Sequence, residues 1–281
     1  MKGLVISSSY GSYVVNCDFI LYKVTPRGIF RNLNKKVVVG DEVEIDTEEL
    51  IITDIYPRKN FLIRPTVANI DEAFIVSSLV EPEFSYSLIF KYLTYLNING
   101  IKASLILTKN DLFTNIDKID EIKDVFFKSH VKTFIISTVN KEGIDELISD
   151  IKGKTIVLMG QSGVGKSSLI NALDPNFSRS VGSYSVALGR GKHETKEVIL
   201  LPFLDGYIAD TPGFSSLDLH ISKSDLAKFF PSLIDYAHQC YFSNCLHTNE
   251  KGCRVKSALE EGLISPIVYE NYLNILKNFE D

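Results

Sequence analysis

The sequence predicts a multidomain protein with a small N-terminal, OB-like β-barrel, an α/β domain with a phosphate-binding loop (P-loop), and a mainly α-helical, zinc-binding C-terminal domain. Three observations support this fold class. Short β-type segments fill roughly the first 65 residues, strands alternate with helices from about residue 69, and three cysteines and a histidine lie close together near the C-terminus. We place the domain boundaries at residues 1–68, 69–219 and 220–281.

The N-terminal region contains segments with strand-type patterning at residues 3–7, 12–16, 19–24, 36–40 and 42–46. About five short strands without a strong helix predict a small closed barrel of the OB or SH3 type. Residues 23–36 carry five basic and no acidic side chains. This basic stretch is either a solvated loop or a patch that faces RNA, and the sequence leaves both interpretations open.

The composition is that of a globular protein with a sizeable core, since 45% of the residues are hydrophobic and 23% are charged. No apolar run approaches the ~18 residues of a membrane-spanning helix, and the N-terminus lacks the pattern of a signal peptide. We therefore expect a cytoplasmic protein without a membrane partner. The formal net charge of −5 argues against general binding to polyanions and leaves room for one local nucleic-acid contact.

The alternation of strands, such as residues 103–108 and 155–159, with amphipathic helices predicts a parallel sheet with helices on both faces. The strand at 155–159 runs into GQSGVGKSS, which fits G-x-x-x-x-G-K-[ST] in the strand–loop–helix context that this motif requires. Lys166 would reach the β- and γ-phosphates of a nucleotide, and the Ser167 hydroxyl would bind Mg²⁺. A glycine-rich turn with an accidental Lys-Ser pair is the alternative. The predicted phosphate contacts are Gly160, Gln161, Ser162, Gly163, Val164, Gly165, Lys166, Ser167 and Ser168.

A second motif, DTPG, follows the predicted strand at residues 206–210. At the end of that strand, Asp210 can hold the Mg²⁺ shell, and Gly213 can present its N–H to the γ-phosphate. The glycine-rich segment 186–198 between the two motifs can supply Thr195 to the metal and the γ-phosphate. Read alone, DTPG is also good turn chemistry.

The segment TKND, which comprises Thr108, Lys109, Asn110 and Asp111, ends another predicted strand, where open α/β sheets place ligand contacts. A carboxylate such as that of Asp111 accepts hydrogen bonds from N1–H and from the exocyclic amine of guanine, and adenine has no such donor pair. Asn110 can meet O6, the Lys109 stem can cover the ring, and Ser137 can add a backbone N–H. A chance occurrence of these four residues is the alternative.

The order of these motifs is unusual, because the base-reading segment precedes the phosphate loop. The termini of a compact α/β domain often lie close together. They can therefore be joined, and the chain can begin at another loop, without loss of packing. The order therefore predicts a circularly permuted domain with an unchanged site.

Near the C-terminus, Cys240, Cys245, His247 and Cys253 provide four ligands that suit a tetrahedral zinc ion. No further ligand is needed, which favours a structural site over a catalytic one. Reduced core cysteines beside a chance histidine are the alternative.

Taken together, the motifs TKND, GQSGVGKSS, GKHETK, DTPGF and C-x4-C-x-H-x5-C resemble those of the circularly permuted GTPases of ribosome biogenesis. The sequence is most similar to the small-subunit-dependent GTPase A family (RsgA, also called YjeQ), and the resemblance spans almost the whole chain. It implies one structural zinc knuckle, Mg²⁺ bound with GTP, and the small ribosomal subunit and its rRNA as partners. It also implies that the subunit stimulates hydrolysis of GTP to GDP and phosphate, and that hydrolysis releases the protein.

The sequence departs from common GTPases after DTPG, because Phe214 stands where many have a glutamine that orients the attacking water. The resemblance implies that His193 takes this role, although a loop histidine is more often merely solvated. The family usually has His-Thr-Thr-Thr here, whereas this chain has Glu194 and Lys196 on either side of Thr195. The changed charge of this loop affects its contact with the activator of hydrolysis, more than it affects GTP binding.

Three functions are compatible with these residues. The leading hypothesis is a GTP hydrolase that assists late maturation of the small ribosomal subunit, with a monomer as the default state. A nucleotide-gated RNA-binding scaffold with little hydrolysis is the second, motivated by Phe214. An ATP-dependent enzyme is the third, and it requires TKND to be accidental.

Overall fold

The structure is a computed structural model that describes residues 1–9, 11–28, 30, 36–177, 198–210 and 221–279, with the side chain of Asp210 excepted. The chain forms two compact units. The first comprises residues 1–72, 145–158 and 167–214, and the second comprises residues 73–144, 159–166 and 215–281. Each unit therefore combines segments from distant parts of the chain.

A closed five-stranded barrel forms the N-terminal part of the first unit. Its strands are β1 (Lys2–Ser9), β2 (Ser12–Cys17), β3 (Ile20–Pro26), β4 (Glu42–Asp46) and β5 (Ile51–Ile55). They pair in the order β1-β2-β3-β5-β4, and β4 pairs back with β1 to close the barrel. Alternate side chains of β2, including Val15 and Cys17, are buried in the barrel core. The predicted barrel is thus confirmed.

The strand predicted at residues 36–40 is not formed, and its place in the barrel is taken by β5. The Asp41 carboxylate is fully buried and accepts a hydrogen bond from Val38 N (2.8 Å) and an ion pair from Arg58 Nε (2.6 Å). These local bonds compete with a strand ladder. Gly40 adds a φ of +89° and donates its N–H to Val5 O (2.8 Å), so the apolar run is buried as a loop.

The first unit also contains two short strands that follow the barrel in the chain, and strands and helices from the α/β part. These are β6 (Phe61–Leu62), β7 (Val67–Ala68), α3 (Ile144–Ile151), β11 (Thr155–Met159), α4 (Lys166–Leu173), β12 (Ile199–Phe203) and β13 (Gly206–Asp210). Strand β11 is parallel to β13, but β12 is antiparallel to both β13 and β1. The prediction of a parallel sheet was therefore wrong for β12. The reason is the two-residue turn at Leu204 and Asp205, where both φ angles are positive and a tight hairpin results.

The second unit contains three parallel strands in the order β10-β9-β8. Its α/β elements are β8 (Glu72–Ser78), α1 (Tyr86–Ile98), β9 (Ala103–Thr108), α2 (Ile116–Lys128) and β10 (Lys132–Ile135). The Ser85 side chain caps α1 by accepting from Leu88 N (3.3 Å), and the Asn115 side chain caps α2 by accepting from Lys118 N (3.0 Å). The parallel arrangement brings the carboxyl ends of β8 and β9 to one edge.

The C-terminal part of the second unit is helical, as predicted. Its helices are α5 (Lys223–Phe229), α6 (Ile234–Ala237), α7 (Arg254–Glu260) and α8 (Pro266–Lys277). The Phe230 ring contacts Phe90 of α1 at 5.2 Å and Tyr272 of α8 at 5.3 Å between centroids. Asn97 Nδ2 donates to Phe229 O (2.9 Å) beside them. Among the described residues, no helix has the length and apolar character needed to cross a membrane.

Substitutions at two barrel glycines distinguish the cost of backbone strain from the cost of a steric clash. Gly40→Ala would place a Cβ 2.1 Å from Ala68 O, whereas Gly11→Ala, with a similar φ of +85°, meets nothing within 4 Å. Both variants should lose about 1–2 kcal/mol to the positive φ, and Gly40→Ala should lose a further 1–3 kcal/mol to the clash. Denaturant unfolding of the two variants checks this, and equal losses would contradict it.

Candidate nucleotide and metal sites

The predicted phosphate loop lies between the end of β11 and the start of α4, and it depends on glycine. Gly160, Gly163 and Gly165 have φ angles of +148°, +82° and +96°, a region that other residues rarely adopt. A Cβ on Gly160 would lie 2.2 Å from the Val76 carbonyl oxygen of β8. The loop can therefore pass close to the backbone of β8 only with a glycine at this position.

The ammonium group of Lys166 is held within this loop. Lys166 Nζ donates to the carbonyl oxygens of Gly160 and Gln161, both at 2.6 Å, and burial lowers the pKa of the Lys166 ammonium. Ser162 is exposed and Val164 is buried. The ammonium and the N-terminus of α4 place positive charge where the backbone turns, which is the arrangement that binds anions.

Hydrogen bonds join the TKND segment to the phosphate loop. Thr108 Oγ1, at the end of β9, donates to Val164 O (2.7 Å). Lys109 Nζ donates to Gly163 O (3.1 Å) and also to Glu81 O. Lys109 has a left-handed φ of +62°, a strained conformation for a lysine. The structure therefore brings together the TKND segment and the phosphate loop, both of which the sequence singled out.

The next two residues of the segment contact the loop after β10. Asn110 N donates to Ile136 O (3.2 Å), and Asn110 Nδ2 donates to Glu142 Oε2 (2.9 Å). The buried Ser137 donates its hydroxyl to Asp111 Oδ1 (2.6 Å). Asp111 itself is exposed, so a buried partner holds a carboxylate that solvent can reach.

Two features of this region were not foreseen from the sequence. We expected the Ser137 N–H to face a base, but it donates to Glu142 O (3.2 Å). The Ser137 hydroxyl contacts Asp111 instead. Glu142 was not singled out. A usable signal was the following residue, Gly143, whose φ is +70° and whose Cβ would lie 2.4 Å from Ile135 O. A glycine of this kind marks a tightly fixed loop.

The remaining predicted nucleotide residues are described only in part. Ser167 and Ser168 are exposed in the first turn of α4. Asp210 ends β13. Residues outside the described part of the chain are His193, Glu194, Thr195, Lys196, Gly213 and Phe214.

The four predicted zinc ligands meet at one point. The ligand atoms of Cys240, Cys245, His247 and Cys253 all lie within 4.8 Å of one another. His247 Nδ1 is 3.6 Å from Cys240 Sγ and 3.5 Å from Cys253 Sγ, and the two sulfurs are 4.0 Å apart. On the opposite side of the ring, His247 Nε2 is 3.0 Å from Ala227 O.

This donor set fits zinc. Tetrahedral zinc with its usual bond lengths requires S···N distances of about 3.6 Å and S···S distances of about 3.8 Å, close to the three distances among Cys240, His247 and Cys253. Only a protonated Nε2 can donate to the Ala227 carbonyl, so the lone pair of Nδ1 faces the sulfurs. Burial lowers the pKa of His247, which favours the neutral, ligating ring, and raises the pKa of the Cys245 thiol to about 12. A bound divalent cation favours the thiolate and therefore opposes this rise in the pKa of Cys245.

Helix α8 supports the ligand loop through two tyrosines. Tyr269 OH donates to His247 O (2.6 Å), and Tyr272 OH donates to Leu246 O (2.6 Å). His247 has a left-handed φ of +58°. The hydroxyls satisfy two carbonyls of this strained turn, which fixes the position of the imidazole.

Comparison with known proteins places these sites in a family. A sequence model of the RsgA GTPase family matches residues 55–220. A protein of Halalkalibacterium halodurans named small ribosomal subunit biogenesis GTPase RsgA is 39% identical over 98% of this chain and 96% of its own length. The protein of that name from Enterococcus faecalis is 38% identical over the whole of this chain and 96% of its own length.

Solved structures agree. The crystal structure of YjeQ from Thermotoga maritima has a TM-score of 0.83 and 33% identity, and it covers 98% of this chain and 97% of its own. The structure of YloQ, described as a circularly permuted GTPase, has a TM-score of 0.79 and 32% identity over 98% of this chain and 93% of its own. The predicted fold class is therefore confirmed, with its barrel, permuted P-loop GTPase fold and helical C-terminal part that carries a cluster of three cysteines and a histidine. The chain belongs to the RsgA GTPase family, a family of GTP hydrolases.

Proposed function

We propose that this protein binds the small ribosomal subunit, assists its late maturation and is released when the subunit stimulates hydrolysis of GTP to GDP and phosphate. The observation that carries the proposal is the pair of hydrogen bonds from Thr108 to Val164 and from Lys109 to Gly163, which joins a base-reading segment to a phosphate loop. The choice of partner is supported by relatives that are named for small ribosomal subunit biogenesis and match over nearly their whole length.

In this proposal the TKND segment reads guanine. The Asp111 carboxylate accepts N1–H and the exocyclic amine, one on each oxygen, and the Ser137 hydroxyl holds the carboxylate in place through Oδ1. Asn110 meets O6, and the Lys109 stem covers the ring. Adenine would leave the carboxylate without donors, a cost of about 1–3 kcal/mol. This difference selects GTP over ATP.

The phosphate loop, residues 160–168, holds the triphosphate. Lys166 neutralises charge on the β- and γ-phosphates, and Gly213 N–H binds the γ-phosphate. The exposed Ser167 hydroxyl suits an oxygen-ligated Mg²⁺, with Asp210 and Thr195 completing the shell. The ion supplies charge neutralisation during phosphoryl transfer.

His193 orients the attacking water, because Phe214 has no group that can do so. Intrinsic hydrolysis is then slow, and binding of the subunit brings His193 into place. Glu194 and Lys196 change the charge on either side of Thr195 and so tune this activation.

The domains divide the remaining tasks. Residues 1–68 form the RNA-binding barrel, residues 69–219 the GTPase domain and residues 220–281 a domain held by one structural zinc. The described basic side chains of residues 23–36, namely Lys23, Arg27 and Lys36, are exposed, as an rRNA contact requires. The protein acts in the cytoplasm as a monomer.

Hydrolysis in the presence of ribosomal subunits tests the proposal. Purified small subunits should raise the rate of GTP hydrolysis by roughly 100-fold or more, with no effect on ATP. Phosphate release is measured with GTP and ATP, with and without small subunits, and large subunits serve as the control. Equal rates with and without small subunits would sink the ribosomal role, and a preference for ATP would support an ATP-dependent enzyme.

His193→Ala tests how water is positioned. The stimulated rate should fall by roughly 100-fold, while GTP affinity stays within about twofold of wild type because the residue acts on the water rather than on the nucleotide. Single-turnover hydrolysis and nucleotide titration give the two quantities. An unchanged stimulated rate would exclude this role, and a wild-type rate that subunits do not raise would favour the nucleotide-gated scaffold.

Metal analysis tests the zinc site. The purified protein should contain about one zinc ion per chain, and Cys253→Ser should lose both the ion and thermal stability, because metal binding contributes directly to folding. Cys17→Ser, at a buried thiol in the barrel, is the matched control and should keep its zinc. Mass spectrometry of the metal content decides, and a full complement of zinc in Cys253→Ser would contradict the site.

A further inference from the structure

Two neighbouring aromatic side chains, Tyr241 and Phe242, are exposed on the ligand loop, residues 240–253. Tyr241 is 81% exposed and Phe242 is 46% exposed, and their rings meet edge to face with centroids 4.8 Å apart. They directly follow Cys240, the first member of the cysteine and histidine cluster. A ring that stays mostly in water, such as that of Tyr241, contributes little to folding. A role in binding accounts for its position on the surface.

The ligand loop holds the main chain of both aromatic residues. Tyr241 N donates to Gly252 O (3.1 Å), and Cys245 N donates to Phe242 O (3.2 Å). A Cβ on Gly252, whose φ is +70°, would lie 3.0 Å from the Tyr241 Cβ, so the two ends of the loop are in close contact. Members of the cluster, Cys240 and Cys245, lie on both sides of the pair. The rings are therefore presented on a fixed main chain, which lowers the entropic cost of binding a partner.

The polar side chains of the ligand loop suit an anionic partner that offers hydrogen bonds. The one acidic residue of the loop is Glu250, and its carboxylate accepts two main-chain N–H groups of the same loop, at 2.9 and 2.8 Å. Lys251, in the end of the loop that contacts Tyr241, is exposed. The other exposed polar side chains of the loop are Ser243, Asn244 and Asn249. A ring beside a cation and amide groups, with the carboxylate bonded internally, matches the chemistry of unpaired RNA.

The size of the apolar surface favours a base over a protein as the partner. Within the ligand loop, Tyr241 and Phe242 are the large hydrophobic side chains that are exposed. A stable protein interface buries about 800 Å² on each partner, which is more than two rings provide. One face of one ring is enough to stack a nucleic-acid base. The pair therefore has the size of a base-stacking site.

We propose that the ligand loop is an RNA contact, in which an unpaired base of the small subunit's RNA stacks on the Tyr241 ring and Lys251 contacts a neighbouring phosphate. The inference rests on the proposed function, because the small subunit supplies the RNA. Phe242 supports the Tyr241 ring through the edge-to-face contact. The contact adds affinity for the subunit and takes no part in the hydrolysis of GTP.

Binding of variants to purified small subunits, in the presence of a nonhydrolysable GTP analogue, tests the stacked base. Tyr241→Ala should weaken binding roughly 5- to 150-fold, whereas Tyr241→Phe should stay within about twofold of wild type because the ring face remains. Phe127→Ala, which removes an 80% exposed ring from α2, is the matched control and should bind as wild type does. Tyr241→Ala should keep its zinc and its hydrolysis rate without subunits. Wild-type affinity in Tyr241→Ala would overturn the stacked base.

The salt dependence of binding tests the phosphate contact separately. Lys251→Ala should weaken binding and reduce the slope of log affinity against log salt concentration by about 1, because one fewer phosphate is neutralised. Tyr241→Ala should leave that slope unchanged, since stacking involves no charge. A slope in Lys251→Ala equal to that of wild type would contradict the phosphate contact.

Ultraviolet crosslinking of the wild-type complex identifies the partner of the ring. After digestion with nuclease and protease, mass spectrometry should find a nucleotide attached to the peptide that contains Tyr241. A crosslink from this peptide to a ribosomal protein would overturn the assignment to RNA.

The wild-type protein separates failure of this inference from failure of the proposed function. If wild type does not bind small subunits, the proposed function fails and the RNA contact fails with it. If wild type binds and Tyr241→Ala binds equally well, the proposed function stands and this inference alone is wrong.

Discussion

The hydrogen bond from the Thr108 hydroxyl to the Val164 carbonyl joins two segments that the chain order keeps far apart. It is buried and short (2.7 Å), and Lys109 adds a second bond from the same segment to Gly163. A nucleotide has a base at one end and phosphates at the other, so its binding site must hold both loops at a fixed separation. These bonds join the two loops whichever of them comes first in the sequence, so a permuted order is compatible with the same arrangement of the two loops.

The functional segments carry backbone strain that their surroundings must offset. Lys109 and His247 both have left-handed φ angles, each of which costs about 1–2 kcal/mol. Lys109 is held by its bonds to the phosphate loop, and His247 by the Tyr269 hydroxyl and the Ala227 carbonyl. In each case strain fixes the direction of a side chain, and a polar network outside the strained residue stabilises it.

The C-terminal helices are joined to the α/β elements of the second unit by aromatic packing. Phe90 of α1, Phe230 and Tyr272 of α8 form a buried row, and the Tyr272 hydroxyl then reaches the carbonyl of Leu246 in the metal-ligand loop. Removal of any ring would open a cavity in this row. A row of buried rings therefore links helix α1 to the loop that carries His247.

The sequence by itself determined the local features of this protein. Motif spacing singled out the phosphate loop, the TKND segment and the four Cys and His side chains that the structure brings together, and apolar runs located strands such as Ala103–Thr108, because these depend on nearby residues. Only the tertiary structure decided that residues 36–40 form a loop, since the ion pair from Arg58 to the buried Asp41 outweighs the apolar pattern. The contact between Glu142 and Asn110 was also beyond the sequence, because it depends on the approach of two loops that strand pairing alone brings together.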